Sequence, residues 1–316
     1  MKKHLNTLFV TLEGCWLSKD GDTVKVNAEG TCLLRVPLHN LEGIVTLGWD
    51  IGVSPYLMGA CAERGITLSF CNPYGKFLAG VQGFMKGNIL LRREQYRWAD
   101  DEARWVGVAR EMIGAKIAEA IDRLAAFCRM ARGCNSGDML RGIEGSAAET
   151  YFSCLSHCQR TEDPELVFES RNRRPPKDCF NALLSFLYSL LCHDARSALE
   201  SSGIDAAAGF LHRDRPGRPG MALDRAPLAD RLALTLINRK QISSDDFDKE
   251  ESGAVFLKED SRKKVLNAWQ ERKKTVLVHP FLQEKTTLGL LIHIQALLLA
   301  RHLRGDLDCY PPFIGK

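Results

Sequence analysis

Three segments in the second half of this 316-residue chain set metal-capable or phosphate-capable side chains in unusual local surroundings. The first is Leu140-Arg141-Gly142-Ile143-Glu144-Gly145-Ser146. Leu140, Ile143, Ala147 and Tyr151 share one face at helical spacing, which predicts a helix over residues 139–158 with Glu144 on it between two glycines. A glycine inside a helix costs about 1 kcal/mol relative to alanine, so two of them around one acid point to something that approaches the backbone closely. The plainer reading is a solvated glutamate on a helix face; Glu149, on a different face, is read as a surface acid.

The second segment is Gly209-Phe210-Leu211-His212, where a histidine ends a short apolar run and opens a loop carrying Arg213, Arg215 and Arg218. A lone histidine is more often a hydrogen-bonded residue than a ligand. The arginines argue for an anion beside this one, because a guanidinium presents a planar fork to phosphate. The third segment, Met221-Ala222-Leu223-Asp224, follows directly. Glu144, His212 and Asp224 would offer two carboxylates and one imidazole, a set that suits Mn²⁺ or Mg²⁺ acting on phosphodiesters better than a structural zinc. Spacing alone does not single out these three.

Two further features bear on phosphate binding. In the helix expected after Asp178, Asn181, Ser185 and Tyr188 form a narrow polar stripe among Phe180, Leu183, Leu184, Leu187 and Leu191. Such a stripe must meet hydrogen-bond partners, either a neighbouring helix or a bound phosphate chain. The stretch Arg171-Asn172-Arg173-Arg174-Pro175-Pro176-Lys177 is a basic, proline-stiffened loop leading into that helix, with Arg173, Arg174 and Lys177 as candidate phosphate contacts. Basic runs at Arg262-Lys263-Lys264 and Arg272-Lys273-Lys274 flank Trp269; they read as solvated helix faces or as sequence-independent phosphate contacts.

The elements that must position these residues change character near residue 90. Before it, short β-forming runs (Leu8-Phe9-Val10, Val24-Lys25-Val26, Ile44-Val45-Thr46-Leu47, residues 66–70, Phe77-Leu78-Ala79) alternate with turn dipeptides, and Asp20-Gly21 predicts a hairpin. Ser54, Pro55 and Gly65 frame one short helix as N-cap, first position and C′ glycine. After it, the pattern is helical: one long segment over 92–127, then 139–158, a helix from Asp178 to about Glu200, and two more over 228–241 and 287–304, the last stopped by Gly305. The expected fold is α+β, with a small β-rich domain over 1–88 and a larger all-α catalytic domain over 89–316.

Composition narrows the setting. A hydrophobic fraction of 45% with 26% charged residues supports a packed core, and a net charge of +4 is too mild to prove nucleic-acid binding by itself. Eleven cysteines without regular spacing, and no apolar run after the basic N-terminal pair, predict reduced thiols in a cytoplasmic protein. Cys154 and Cys158 beside His157 lack the second ligand pair that a zinc site needs. The most apolar stretch, residues 288–300, is broken by His293 and Gln295 and reads as a core helix, so no membrane is expected.

Taken in order, the segments Leu5-Asn6-Thr7-Leu8, Pro37-Leu38-His39-Asn40-Leu41-Glu42, Leu140-Arg141-Gly142-Ile143-Glu144-Gly145, Arg174-Pro175-Pro176-Lys177-Asp178, Gly209-Phe210-Leu211-His212, Leu236-Ile237-Asn238-Arg239-Lys240 and Leu303-Arg304-Gly305-Asp306 resemble the large catalytic subunit of the prokaryotic CRISPR spacer-acquisition integrase, in its subtype I-C branch. The resemblance implies a metal-dependent DNA integrase that inserts captured DNA into a CRISPR array by 3′-hydroxyl attack on repeat phosphodiesters, with endonuclease activity on branched DNA. It places the family's metal-binding Glu, His and Asp on Glu144, His212 and Asp224. It also implies a β-rich N-terminal domain that forms homodimers, a small ferredoxin-like partner subunit, an iron–sulfur nuclease partner, and DNA substrates consisting of a protospacer with 3′ overhangs and the repeat array. The chain departs from the family pattern around Cys128–Cys134 and after Asp224, which runs straight into Arg225-Ala226-Pro227-Leu228-Ala229-Asp230 without the family's further acid. That departure makes Asp230 the substitute ligand candidate and a non-catalytic DNA-end-binding scaffold the alternative function. A metallohydrolase for a small phosphorylated substrate is the generic third reading.

Overall fold

The computed structural model describes residues 6–81, 83, 89–118, 125–173, 175–211, 221 and 228–314. The fold is mixed α/β, with a β-rich N-terminal region and a helical C-terminal part. It packs as two compact units, one of residues 1–86 with 258–267, the other of residues 87–257 with 268–316.

The first unit holds two four-stranded sheets. In one, β1 (Asn6–Val10), β5 (Leu41–Leu47), β7 (Thr67–Cys71) and β8 (Phe77–Val81) run in the order β1-β5-β7-β8, parallel except for the final antiparallel pair. In the other, β4 (Thr31–Pro37), β3 (Thr23–Ala28), β2 (Trp16–Asp20) and β6 (Gly52–Val53) are adjacent in that order. The Asp20-Gly21 hairpin forms as expected: Asp20 pairs with Thr23, and Gly21 takes φ 56°, which glycine adopts without a Cβ penalty. Helix α1 (Pro55–Arg64) is likewise framed by its predicted caps, since Ser54 Oγ accepts from the Leu57 amide and Gly65 is left-handed. Leu17, Val24, Leu38, Ile44, Leu57, Cys61 and Leu68 lie at the centre of this unit's core.

The second unit is helical: α2 (Ile89–Asp100), α3 (Glu102–Ala118), α4 (Ala125–Arg132), α5 (Gly137–Leu155), α6 (Cys179–Ser201), α7 (Leu228–Asn238) and α9 (Leu288–Leu303). Helix α8 (Glu259–Lys273) starts in the first unit and ends in the second. The helical stretch read over 92–127 as carrying few breakers is interrupted at Asp101. That side chain accepts from the Ala103 amide and pairs with Arg104 Nε at 3.2 Å, so a short acid inside an otherwise unbroken pattern starts a new helix. Sequence reading also passed over two small hairpins, β9 (Phe247–Lys249) with β10 (Val255–Leu257) and β11 (Val276–Val278) with β12 (Lys285–Thr287). Three-residue strands leave too short a pattern to read.

All eleven cysteines are free thiols, and burial pushes Cys61 and Cys179 up to about 11. Among the described residues no helix is long and apolar enough to cross a membrane, and no group of three metal-capable side chains occurs. The two basic runs are largely occupied inside the chain. Arg262 donates to the Pro73 carbonyl at 2.8 Å, and Lys263 pairs with Glu259 and Asp260. Lys273 lies buried against Asp194 at 3.0 Å, beside the Trp269 Nε1–H donated to the same carboxylate.

Candidate functional site

Helix α5 carries Glu144. Its first residue, Gly137, is fixed by packing: a Cβ there would fall 1.9 Å from the Trp105 ring, and its amide donates to Glu102 Oε1 at 2.7 Å. Leu140, Ile143 and Ala147 are buried as their spacing predicts, and Glu144 is half-buried beside them. Gly142 and Gly145 behave differently from Gly137. Both are exposed, and nothing among the described residues would come within 4 Å of a Cβ at either position. Internal packing by those residues gives no reason for a glycine at either position, so the open helix surface beside Glu144 is where an outside group can approach.

Arg141, one turn before Glu144, pairs with Asp138 at 2.5 Å and donates to the Leu211 carbonyl at 3.2 Å. The chain is therefore anchored to α5 at the residue preceding His212. Phe210 and Leu211 are buried, as their apolar run suggests. The segment before them is fixed from α2 by Gln95, which is wholly buried. Its Nε2 donates to the Asp205 and Ala208 carbonyls, and its Oε1 accepts from the Asp205 amide. His212, Arg213, Arg215, Arg218 and Asp224 lie outside the described residues, as does Arg174.

Helix α6 begins where Asp178 accepts from the Asn181 amide at 2.7 Å. The predicted polar stripe on it does meet partners. Asn181 has no exposed surface and uses its full hydrogen-bonding capacity: Oδ1 accepts from Arg171 Nη1 (2.6 Å) and the Asn172 amide (3.2 Å), while Nδ2 donates to the Ser170 carbonyl and Asp178 Oδ2 (both 2.7 Å). Arg171 also reaches Ser185 Oγ at 3.3 Å and stands 5.6 Å over the Tyr188 ring. Burial pulls its guanidinium below its ordinary value. Asn172 closes the loop by accepting from the Lys177 amide and donating to Asp178. The result is a basic loop locked at its base, with Arg173 and Lys177 exposed.

Tyr188 Oη donates to Asp230 Oδ1 at 2.6 Å, and Tyr151 Oη, from α5, donates to Asp230 Oδ2 at 3.0 Å. Burial first, then the adjacent carboxylate, raises both phenols well above their ordinary range, so both stay protonated. Sequence reading did not foresee Arg171 as the partner of the stripe, nor Gln95. The stripe predicted that some partner exists without naming it, and nothing in the local pattern around Gln95 marks its burial.

The family model described as "CRISPR associated protein Cas1" matches residues 8–121 and 115–271. "CRISPR-associated endonuclease Cas1 1" of Chlorobaculum tepidum is 47% identical and aligns with 100% of both chains over 344 positions, so it carries residues with no counterpart in the 316 present here. A "CRISPR-associated exonuclease Cas4/endonuclease Cas1 fusion" of Rhodospirillum rubrum is 31% identical over 98% of this chain and 57% of its own length. Among solved structures, a CAS1 protein from Thermotoga maritima superposes with a TM-score of 0.84 at 21% identity, over 97% of this chain and 99% of that one. A casposase bound to integration product superposes at 0.85 and 20% identity, over 96% and 92%. A chain of a Cas6-RT-Cas1–Cas2 complex superposes at 0.82 and 20%, covering all of this chain and 38% of that one. With the family model spanning most of its length and whole-chain identity of 47%, this chain belongs to the Cas1 family of CRISPR-associated proteins.

Proposed function

We propose that this protein is a metal-dependent DNA integrase. It joins the 3′-hydroxyl ends of captured DNA to phosphodiesters of a CRISPR repeat and cuts branched DNA as a side activity. The observation that carries this reading is the half-buried Glu144 on a helix whose flanking glycines leave open surface. Glu144, His212 and Asp224 would hold Mn²⁺ or Mg²⁺, and their two carboxylates and one imidazole fit a hard divalent cation. When bound, the ion supplies Lewis-acid stabilisation of phosphoryl charge. The chain's own residues do the rest. Arg173 and Lys177, on the locked loop, hold a strand by its phosphates and give affinity without sequence preference. Asn181 serves as the anchor of that loop, Ser185 and Tyr188 as supports of Arg171, and Arg174, Arg213, Arg215 and Arg218 as further phosphate contacts. Tyr151 and Tyr188 keep their protons on Asp230, which supports direct transesterification without a tyrosyl–DNA intermediate.

The fusion of a Cas1 with a Cas4 exonuclease, and the Cas1–Cas2 complexes among the structural neighbours, support partners of both kinds here. We assign them as the iron–sulfur nuclease and the small ferredoxin-like subunit. A homodimer formed through residues 1–88, subtype I-C membership and a cytoplasmic setting complete the proposal.

The purified chain plus its small partner should join a duplex with 3′ overhangs to a plasmid-borne repeat array in Mn²⁺ or Mg²⁺. EDTA should abolish joining while DNA binding persists. DNA binding with no joining under any metal condition would favour the scaffold reading instead.

A second expectation comes from the glycines. Gly142→Ala and Gly145→Ala should each stabilise α5 by up to about 1 kcal/mol. Joining should nevertheless slow by about tenfold or more, because a methyl group intrudes where the DNA approaches. Joining at wild-type rate by the stabilised double variant would show that nothing approaches this face.

A further inference from the structure

Asp230 stands in the first turn of α7 with 1% of its surface exposed, and its two carboxylate oxygens take hydroxyls from two different helices. Tyr151 comes from α5 and Tyr188 from α6, so one buried carboxylate ties three helices together. Tyr151 stands seven residues after Glu144, two turns along the same face and about 10 Å further down the axis. The link on the other side continues through Tyr188 to Arg171, Asn181 and Ser185, the anchors of the basic loop.

We propose that Asp230 is a positioning residue that, through Tyr151, fixes the rotation and slide of α5 and thereby places the Glu144 carboxylate. The role differs from that of a substitute metal ligand, because both oxygens are engaged by phenol donors. An apolar residue could fill the same space, but it would let α5 slide and turn against α7. Two charge-assisted hydrogen bonds in fixed directions do not. The inference rests on reading Glu144 as a metal ligand.

The test is direct Mn²⁺ binding to the full chain without DNA, followed by titration calorimetry or by the paramagnetic signal of free Mn²⁺. Tyr151→Phe cuts only the α5 link and leaves Tyr188 on Asp230; Tyr188→Phe does the converse. Supporting groups around metal ligands typically change metal affinity by about 10- to 100-fold. Tyr151→Phe should therefore weaken Mn²⁺ binding by about tenfold or more, while Tyr188→Phe stays within about threefold of wild type. Asp230→Asn, which keeps the shape and one acceptor, should weaken binding less than Asp230→Leu. A purely structural role would not produce this asymmetry, so equal losses in both tyrosine variants would overturn the proposal. So would wild-type affinity in Tyr151→Phe when Glu144→Gln has lost the metal. Full Mn²⁺ binding by Glu144→Gln would instead overturn the ligand reading, and this inference with it.

Discussion

Glu144→Gln is expected to reduce strand joining by about 10³-fold while leaving DNA affinity within a few-fold of wild type. The substitution keeps the shape of the side chain and one acceptor oxygen, exchanges the other for an amide donor, and removes the charge. Packing on α5 should survive, because the residues that bury its face are Leu140, Ile143 and Ala147, and Gly137 already fits under Trp105. On the proposed reading, what is lost is one anionic ligand for a divalent cation, and such a cation contributes several kcal/mol of stabilisation to phosphoryl charge. At about 1.4 kcal/mol per factor of ten, a loss of about 4 kcal/mol gives the stated effect. Single-turnover joining, measured beside a filter-binding isotherm and a melting curve, separates the three quantities. Joining within tenfold of wild type, with melting unchanged, would remove Glu144 from the ligand set.

The contrast between Glu144 and the polar stripe shows what the sequence makes legible. Amphipathic spacing placed α5 and its buried face, and cap chemistry placed α1, α6 and the end of α9 almost to the residue, because both are encoded locally. Glu144 stood out by a local anomaly, two glycines where a helix would prefer alanine. The stripe of Asn181, Ser185 and Tyr188 was legible as needing partners, but their identities depend on which loop folds back over α6. Arg171 precedes Asn181 by ten residues in a stretch rich in arginine, and nothing in the pattern distinguishes the arginine that turns inward from Arg173, which faces solvent. Asp230 has the same character. It lies forty-two residues after Tyr188 and seventy-nine after Tyr151, so only the packing of three helices shows that one carboxylate serves both. The two basic runs around Trp269 show the reverse error open to sequence reading. Charge density suggests a phosphate-binding face, yet Lys273 is buried on Asp194, and Arg262 is turned onto the Pro73 carbonyl.

Asn181→Ala is expected to lower the stability of the helical unit by about 3 kcal/mol and to loosen DNA binding by a route that salt dependence can identify. The wild-type amide makes four hydrogen bonds with no exposed surface, so its removal takes their partner from the Asn172 amide and the Ser170 carbonyl, one contact from Asp178, and one of two acceptors from Arg171 Nη1, which keeps the Asn172 carbonyl. Each unsatisfied buried group costs about 1–3 kcal/mol, and water entering the small space left behind recovers part of the total. For a unit of roughly 200 residues, a loss of this size lowers Tm by about 6–12 °C. The same amide locks the loop that presents Arg173 and Lys177, so the phosphate contacts proposed for them should weaken together with it. Each lost phosphate contact reduces the slope of log affinity against log salt by about 0.9 on duplex and about 0.7 on single strands. The exposed pair provides the control. Arg173→Ala with Lys177→Ala should flatten the slope by about two contacts with Tm unchanged, because neither side chain is buried. Asn181→Ala should combine that flattening with the loss of Tm. If Asn181→Ala lowers Tm and leaves the salt slope at its wild-type value, the loop is a structural closure of α6 and the strand runs elsewhere.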